Sequence, residues 1–174
     1  MKTLLVSLAT GRLALRQVPD SALLTRNLPL FLPEGRTDAR LRVMPAVRIS
    51  RLGLAVPEKF AGRYFDSATL TALNVPSLPA EDTDLVADNA LVAGEWGEVP
   101  DDGRWTVESG DGRRAEWNLA DTFVRAVAAV SERSTLKTGD IIALADFTID
   151  VDARTDERVA LGLNGRQVLN FKIK

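Results

Sequence analysis

The strongest constraint on what this chain can fold into lies near its end. Asn164-Gly165 separates two runs in which apolar and polar side chains alternate, Arg158-Val159-Ala160-Leu161-Gly162-Leu163 and Arg166-Gln167-Val168-Leu169-Asn170-Phe171-Lys172-Ile173. A two-residue turn of the kind that closes a hairpin needs positive φ at both positions, which Asn-Gly adopts most cheaply. Alternation by twos is the period of a half-buried strand, so a β-hairpin is expected. The same grammar recurs upstream. Residues 3–8 and 13–15 flank Thr10-Gly11, and Trp105-Thr106-Val107-Glu108 faces Arg114-Ala115-Glu116-Trp117 across Gly110-Asp111-Gly112. Residues 19–33 are apolar but carry three prolines, which suits short edge strands and loops. In residues 41–54, valine and isoleucine alternate with arginine. That predicts a strand with one wet face, and Pro45 assigns it to an edge or bulge. Lys137-Thr138-Gly139-Asp140 turns into an apolar strand over residues 141–145.

Helical spacing is found twice. Phe60, Tyr64, Phe65, Ala68 and Ala72 predict a helix over residues 60–73. Beyond Asn118, a candidate N-cap, the residues Leu119, Phe123, Val127 and Val130 form an apolar stripe with Ala126 beside it. Many short strands and two short-to-medium helices predict a mainly β (α+β) fold, in a single domain over residues 1–174.

Composition limits the chemistry. The 174 residues include no histidine and no cysteine. That excludes a Ser-His-Asp triad, a cysteine nucleophile, a Cys/His zinc site and any disulfide. Catalysis would have to come from carboxylates, Lys, Arg, Ser/Thr, Tyr or the backbone. With 22 basic and 24 acidic side chains, the net charge of -2 gives no electrostatic reason to expect nucleic acid or an anionic membrane as partner. The apolar run that follows Lys2 is short and reads as a buried strand rather than a signal peptide. No stretch approaches the roughly 20 apolar residues that span a bilayer. A cytoplasmic protein is expected, in keeping with the lack of cysteine.

Several of these segments, in order, resemble the fumarylacetoacetate hydrolase family. The resemblance rests on Pro19-Asp20-Ser21-Ala22-Leu23-Leu24, Val47-Arg48-Ile49-Ser50-Arg51-Leu52-Gly53 and Arg63-Tyr64-Phe65-Asp66. Asp88-Asn89-Ala90, Leu136-Lys137-Thr138-Gly139-Asp140-Ile141-Ile142 and the hairpin around Asn164-Gly165 complete it. It implies a mixed β-sandwich roll and a homodimer. It also implies divalent-metal enzymes, using Mg²⁺ or Mn²⁺, that cleave, decarboxylate or isomerise 2-oxo acids and β-dicarbonyl compounds. A hard cation needs oxygen ligands and acts as a Lewis acid on the substrate's keto-acid oxygens. The family provides a Glu-x-Glu pair on one strand and an aspartate just past the helix that holds Tyr64, and the resemblance puts these positions at Arg42, Met44 and Leu73. The family's catalytic lysine falls near Leu85, and no lysine lies near it. Its glycine-rich loop becomes Ala145-Asp146-Phe147-Thr148-Ile149-Asp150-Val151, and its lid shrinks to Ala9-Thr10-Gly11-Arg12.

No catalytic and no metal-binding residue is therefore assigned, and no cofactor is expected. The candidate anion or ligand pocket is Arg42, Met44, Leu73 and Asp88. Other groups read as ordinary surface. These are the acidic loop Glu81, Asp82 and Asp84, the calcium-loop-like Asp150, Asp152, Asp156 and Glu157, and Lys59 beside Glu58. Arg40, Arg42, Arg48 and Arg51 could hold a carboxylate, though arginines on a strand's wet face are the simpler reading. Trp96, Trp105 and Trp117 read as core or interface residues, Trp105 and Trp117 as a cross-strand pair. The expected function is that of a divergent, non-catalytic binding or assembly module, a homodimer or the partner of an active paralogue. The alternative is an active divergent hydrolase, lyase or isomerase of the acylpyruvase or oxaloacetate decarboxylase type.

Overall fold

The computed structural model describes residues 1–9, 11–75 and 88–174. The chain opens with the expected antiparallel hairpin of β1 (Thr3–Ser7) and β2 (Ala14–Val18). A 3-10 turn over Asp20–Ala22 leads to the two-residue β3 (Leu23–Leu24), and the long β4 (Asp38–Ile49) follows. Next come the one-turn α1 (Glu58–Ala61), β5 (Phe65–Val75), β6 (Leu91–Ala93) and β7 (Gly97–Glu98). The hairpin of β8 (Arg104–Ser109) and β9 (Arg114–Asn118) precedes the main helix α2 (Ala120–Arg133). The remainder is β10 (Ile141–Leu144), β11 (Ile149–Arg154), β12 (Arg158–Leu163) and β13 (Arg166–Lys172). Asn164 and Gly165 turn the last hairpin with φ of 50° and 78°, as the sequence requires.

The larger sheet runs β2-β1-β10-β4-β5-β6-β3, with β11 also on β4 and β7 also on β5. Its two ends, β2 and β3, are joined only by residues 19–22, a link that spans at most about 18 Å. The sheet therefore curls back towards itself as a roll. Its outer face carries Leu41, Val43, Val47, Ile49 and Ile142, packed against Phe123, Val127 and Val130 of α2. The smaller sheet, β13-β12-β8-β9, adds Trp105, Leu161 and Phe171 to that core. Phe123 is the hub, 5.0 Å from the Trp105 ring and 6.1 Å from Phe65. The inner face holds a second cluster: Leu5, Val18, Ala22, Met44, Ala46, Ala90, Leu91, Ile141 and Ala143. Four of these nine residues are alanines, in keeping with the limited interior of a tightly curled sheet.

Four expectations are corrected. Residues 60–73 form not one helix but α1 and then β5. Phe60, Tyr64, Ala68 and Ala72 recur every four residues, a spacing that also keeps side chains on one face of a strand. The alternation of inward Ser67, Thr69 and Thr71 with outward Ala68, Leu70 and Ala72 decides for β. Asn118 ends β9 instead of capping α2; Leu119 stands at the N-cap and makes no side-chain cap. The arginine face of β4 is wet only at Arg40 and Arg42, because Met44 and Ala46 on the same face are buried inside the roll.

Pro45 lies on a central strand. Ile49 donates its N–H to Asp140, so the odd-numbered residues of β4 direct their N–H groups away from β5. On that side β10 ends opposite Ala46 and β11 begins opposite Val43. The nitrogen that cannot donate thus faces the changeover between two partner strands, where no ladder bond is lost. Trp105 and Trp117 are register partners, as expected, yet each ring has its own companion: Phe123 for Trp105 and Phe147, at 6.0 Å, for Trp117.

Candidate functional site

The positions singled out on β4 and β5 come together. Arg42 and Met44, two residues apart, point to the same face, and Arg42 lies directly opposite Leu73. Leu73 is in turn the register partner of Leu91 on β6. Asp88 occupies the exposed turn entering β6, three residues before Leu91 and next to Asn89, whose N–H bonds to the Ser21 carbonyl at 3.2 Å. One side chain from each of two neighbouring strands, plus a second two residues along, is the placement that three ligands of one ion would need.

The chemistry at those positions is of another kind. Met44 is 1% exposed within the inner apolar cluster, and Leu73 packs against that cluster. Arg42, on the same face as Met44 but exposed, reaches sideways towards β11. β11 lies antiparallel to β4 with Asp150 opposite Arg42 and Asp152 opposite Arg40. Each arginine Nε faces its aspartate, at 3.3 Å for Arg42–Asp150 and 3.4 Å for Arg40–Asp152. Two hydroxyls of β5 are also engaged: Thr71 Oγ1 donates to the Met44 carbonyl at 3.3 Å and Thr69 Oγ1 to the Glu95 carbonyl at 2.9 Å. A guanidinium, a thioether and an alkyl chain offer no hard oxygen, and the nearby carboxylate already has a cation. The side chains present do not fit Mg²⁺ or Mn²⁺.

The remaining arginine of this face, Arg48, is half-buried. Its guanidinium lies 5.1 Å from the centre of the Trp96 ring and donates to Ser67 Oγ at 3.0 Å. Ser67 Oγ in turn donates to Asp66 at 2.6 Å. Trp96, expected in the core or at an interface, packs against the inner apolar cluster and stacks on Arg48. The partners Asp150 and Trp96 escape sequence reasoning because they reach β4 from distant segments. The one available signal is the matched two-residue spacing of Arg40, Arg42 and Asp150, Asp152.

The alternative sites resolve into local pairs. Asp156 pairs with Lys172 at 2.8 Å, which holds its carboxyl below the ordinary range, and Glu157 accepts the Arg154 N–H at 2.7 Å. Lys59 is exposed and lies 4.8 Å from the Phe60 ring. Glu81, Asp82, Asp84 and Leu85 lie outside the described residues. Three surface clefts, of about 470, 460 and 310 Å³, open elsewhere: by Arg166, over α2 and beside Asp111. None of the three is lined by Arg42, Met44, Leu73 or Asp88.

No protein-family model matches the sequence, and no curated protein matches it. The fold does find counterparts among solved structures. A Yersinia pestis protein assigned to the fumarylacetoacetate hydrolase family superposes with a TM-score of 0.77 at 17% identity, covering 99% of this chain and 92% of that one. The 5-carboxymethyl-2-hydroxymuconate delta-isomerase of Mycobacterium smegmatis gives 0.76 at 16%, covering 99% and 78%. Maleylpyruvate hydrolase from Sphingobium, solved with manganese(II) and pyruvate, gives 0.75 at 19%, covering 99% and 70%. The chain has the mixed β-sandwich roll of these proteins, hydrolases and isomerases among them.

Proposed function

We propose that this chain uses the roll as a non-catalytic binding or assembly module. One observation carries the reading. The strand face on which the resemblance would put three carboxylates holds Arg42, Met44 and Leu73, with Met44 inside the apolar filling and Arg42 tied to Asp150. An enolate formed by cleaving or deprotonating an oxo acid needs a cation beside the keto oxygens. The guanidinium of Arg42 could supply charge, but Asp150 pairs with it, and none of the three clefts described above is lined by it. The partner we propose is a second copy of the chain.

Calorimetric titration with Mn²⁺, with and without oxalate, and turnover assays on an acylpyruvate and on oxaloacetate test this directly. The expected result is no saturable metal binding and no turnover. Stoichiometric Mn²⁺ bound near Met44 and Leu73, or turnover that disappears in Arg42→Ala, would overturn it in favour of an active divergent hydrolase or lyase.

A further inference from the structure

We infer that the loop of residues 51–55, together with α1, is a docking surface for the anionic face of a lipid bilayer. The inference goes beyond the reading as an assembly module and does not depend on it. Three large apolar side chains stand in solvent here: Leu52 is 70% exposed, Leu54 64% and Phe60 39%. The loop that carries the leucines is held in place. Gly53 exchanges backbone bonds with Leu136, at 3.1 and 2.7 Å, and the N–H groups of Ala55 and Val56 donate to the carbonyl and hydroxyl of Ser131, both at 2.8 Å. Gly53 lies flat against Tyr64, whose ring a Cβ would approach to 2.5 Å. In an extended segment the two neighbours of a residue point the other way, so Leu52 and Leu54 are directed outwards. Ala55 then turns the chain at a φ of 50°, a conformation that is costly for a residue with a side chain. A fixed backbone thus presents two leucines to water, which is unfavourable unless something covers them.

Cations surround these side chains. Lys59 Nζ lies 4.8 Å and the Arg63 guanidinium 5.3 Å from the centre of the Phe60 ring. Arg51 precedes the leucines, and Arg133 and Lys137 belong to the segment that pairs with the loop. All five are exposed, and none meets a carboxylate among the described residues. Glu58 is the single acid in residues 50–64 and 133–139. A chain of net charge -2 therefore gathers positive charge where it exposes apolar side chains. That combination matches a bilayer of acidic lipids. The cations meet the head-group phosphates, while leucine and phenylalanine enter the boundary between head groups and acyl chains.

Shape and charge disfavour other occupants. None of the three clefts described above is lined by Leu52, Leu54 or Phe60, so a peptide would meet a projection and not one of those grooves. A second copy laid on this face about a two-fold axis would set cations against cations. Among the described residues no helix is long and apolar enough to cross a membrane; what is proposed is attachment to its surface.

The test is co-sedimentation with vesicles, of phosphatidylcholine alone and of phosphatidylcholine with about one-third phosphatidylglycerol. Circular dichroism checks the fold of each variant. The wild-type chain is expected to pellet with the mixed vesicles, far less with the neutral ones, and less as salt rises. Leu52→Asp with Leu54→Asp, and separately Lys59→Glu with Arg63→Glu, should each weaken partitioning about tenfold or more. Phe31→Asp, which removes a comparably exposed apolar side chain elsewhere, should leave it unchanged. No binding to the mixed vesicles, equal binding to the neutral ones, or folded leucine variants that bind like the wild type would overturn the proposal. So would a chain that ignores vesicles but captures a soluble acidic, leucine-rich peptide, which would assign the surface to a protein partner. None of these outcomes touches the non-catalytic reading, which the Mn²⁺ titration decides separately.

Discussion

Lys2 and Asp140 tie the start of the chain to the start of β10. The Asp140 carboxylate is 1% exposed; it accepts the Lys2 N–H at 2.9 Å and faces Lys2 Nζ at 3.2 Å, while its other oxygen takes the Lys137 N–H at 2.9 Å. These bonds fix β1 parallel to β10, with Thr3 opposite Ile141. Asp140→Ala takes the acceptor from two part-buried backbone donors, while the Lys2 amine keeps the Thr135 carbonyl, so a loss of about 1–3 kcal/mol is expected. Urea unfolding checks this; a loss below about 1 kcal/mol would mean that water replaces the carboxylate.

Gly94 marks where the roll meets the second sheet. A Cβ there would lie 2.6 Å from the Val168 carbonyl and 2.9 Å from Thr69 Oγ1, neither of which can swing aside. Gly94→Ala should therefore destabilise by about 1–3 kcal/mol through overpacking. Gly97→Ala meets only the tip of the Arg166 side chain and should cost far less. Thermal melts of the two variants side by side give the comparison, and equal losses would contradict it.

Acid should find one surface turn unusually resistant. Arg113 hydrogen-bonds the Asp111 carboxylate and Ser109 adds a second donor, which lowers its pKa to about 2. A carboxyl whose pKa is lower folded than unfolded stabilises the fold above its unfolded value, near 4, and loses that contribution as pH falls towards 2. In Arg113→Ala, a carbon-detected NMR titration should show Asp111 moving up towards the ordinary carboxylate range. An unchanged midpoint would assign the effect to Ser109 instead.

The backbone at the positions the resemblance assigns to metal ligands can be tested by substitution. Arg42→Glu, Met44→Glu and Leu73→Asp together place three carboxylates on one face of β4 and β5. Such a variant should bind Mn²⁺ more tightly than the wild-type chain. At a hundredfold excess over its dissociation constant, the ion would add about 2.7 kcal/mol of stability. A folded variant whose melting temperature ignores Mn²⁺ would show that the strand geometry, and not only the side chains, has departed from a metal site.

The hairpins were legible because their signals are local: Asn164-Gly165 states both the turn and the register around it. The α2 stripe was legible for the same reason, since Phe123, Val127 and Val130 repeat at a helical period and are buried. The residues of β5 misled because a four-residue spacing satisfies two periods at once, and only the sheet on either side settles it. At the site, the sequence could single out Arg42, Met44 and Leu73 but not their surroundings. Asp150 lies 108 residues from Arg42, and the pairing depends on β11 taking over from β10 along β4. Met44 had no local reason to be buried; the curl of the sheet encloses it.

That handover has a further consequence at Pro45. A strand held only by ladders can slide by two residues and keep its inside and outside faces. β4 cannot do so cheaply, because sliding would carry the proline from the gap into contact with β10 or β11, where a donor is required. The imide therefore acts as an index mark that both partner strands read. One extra residue in the connection at 145–148 should be absorbed without shifting either ladder, whereas moving the proline two places along β4 should leave the roll without a fixed alignment.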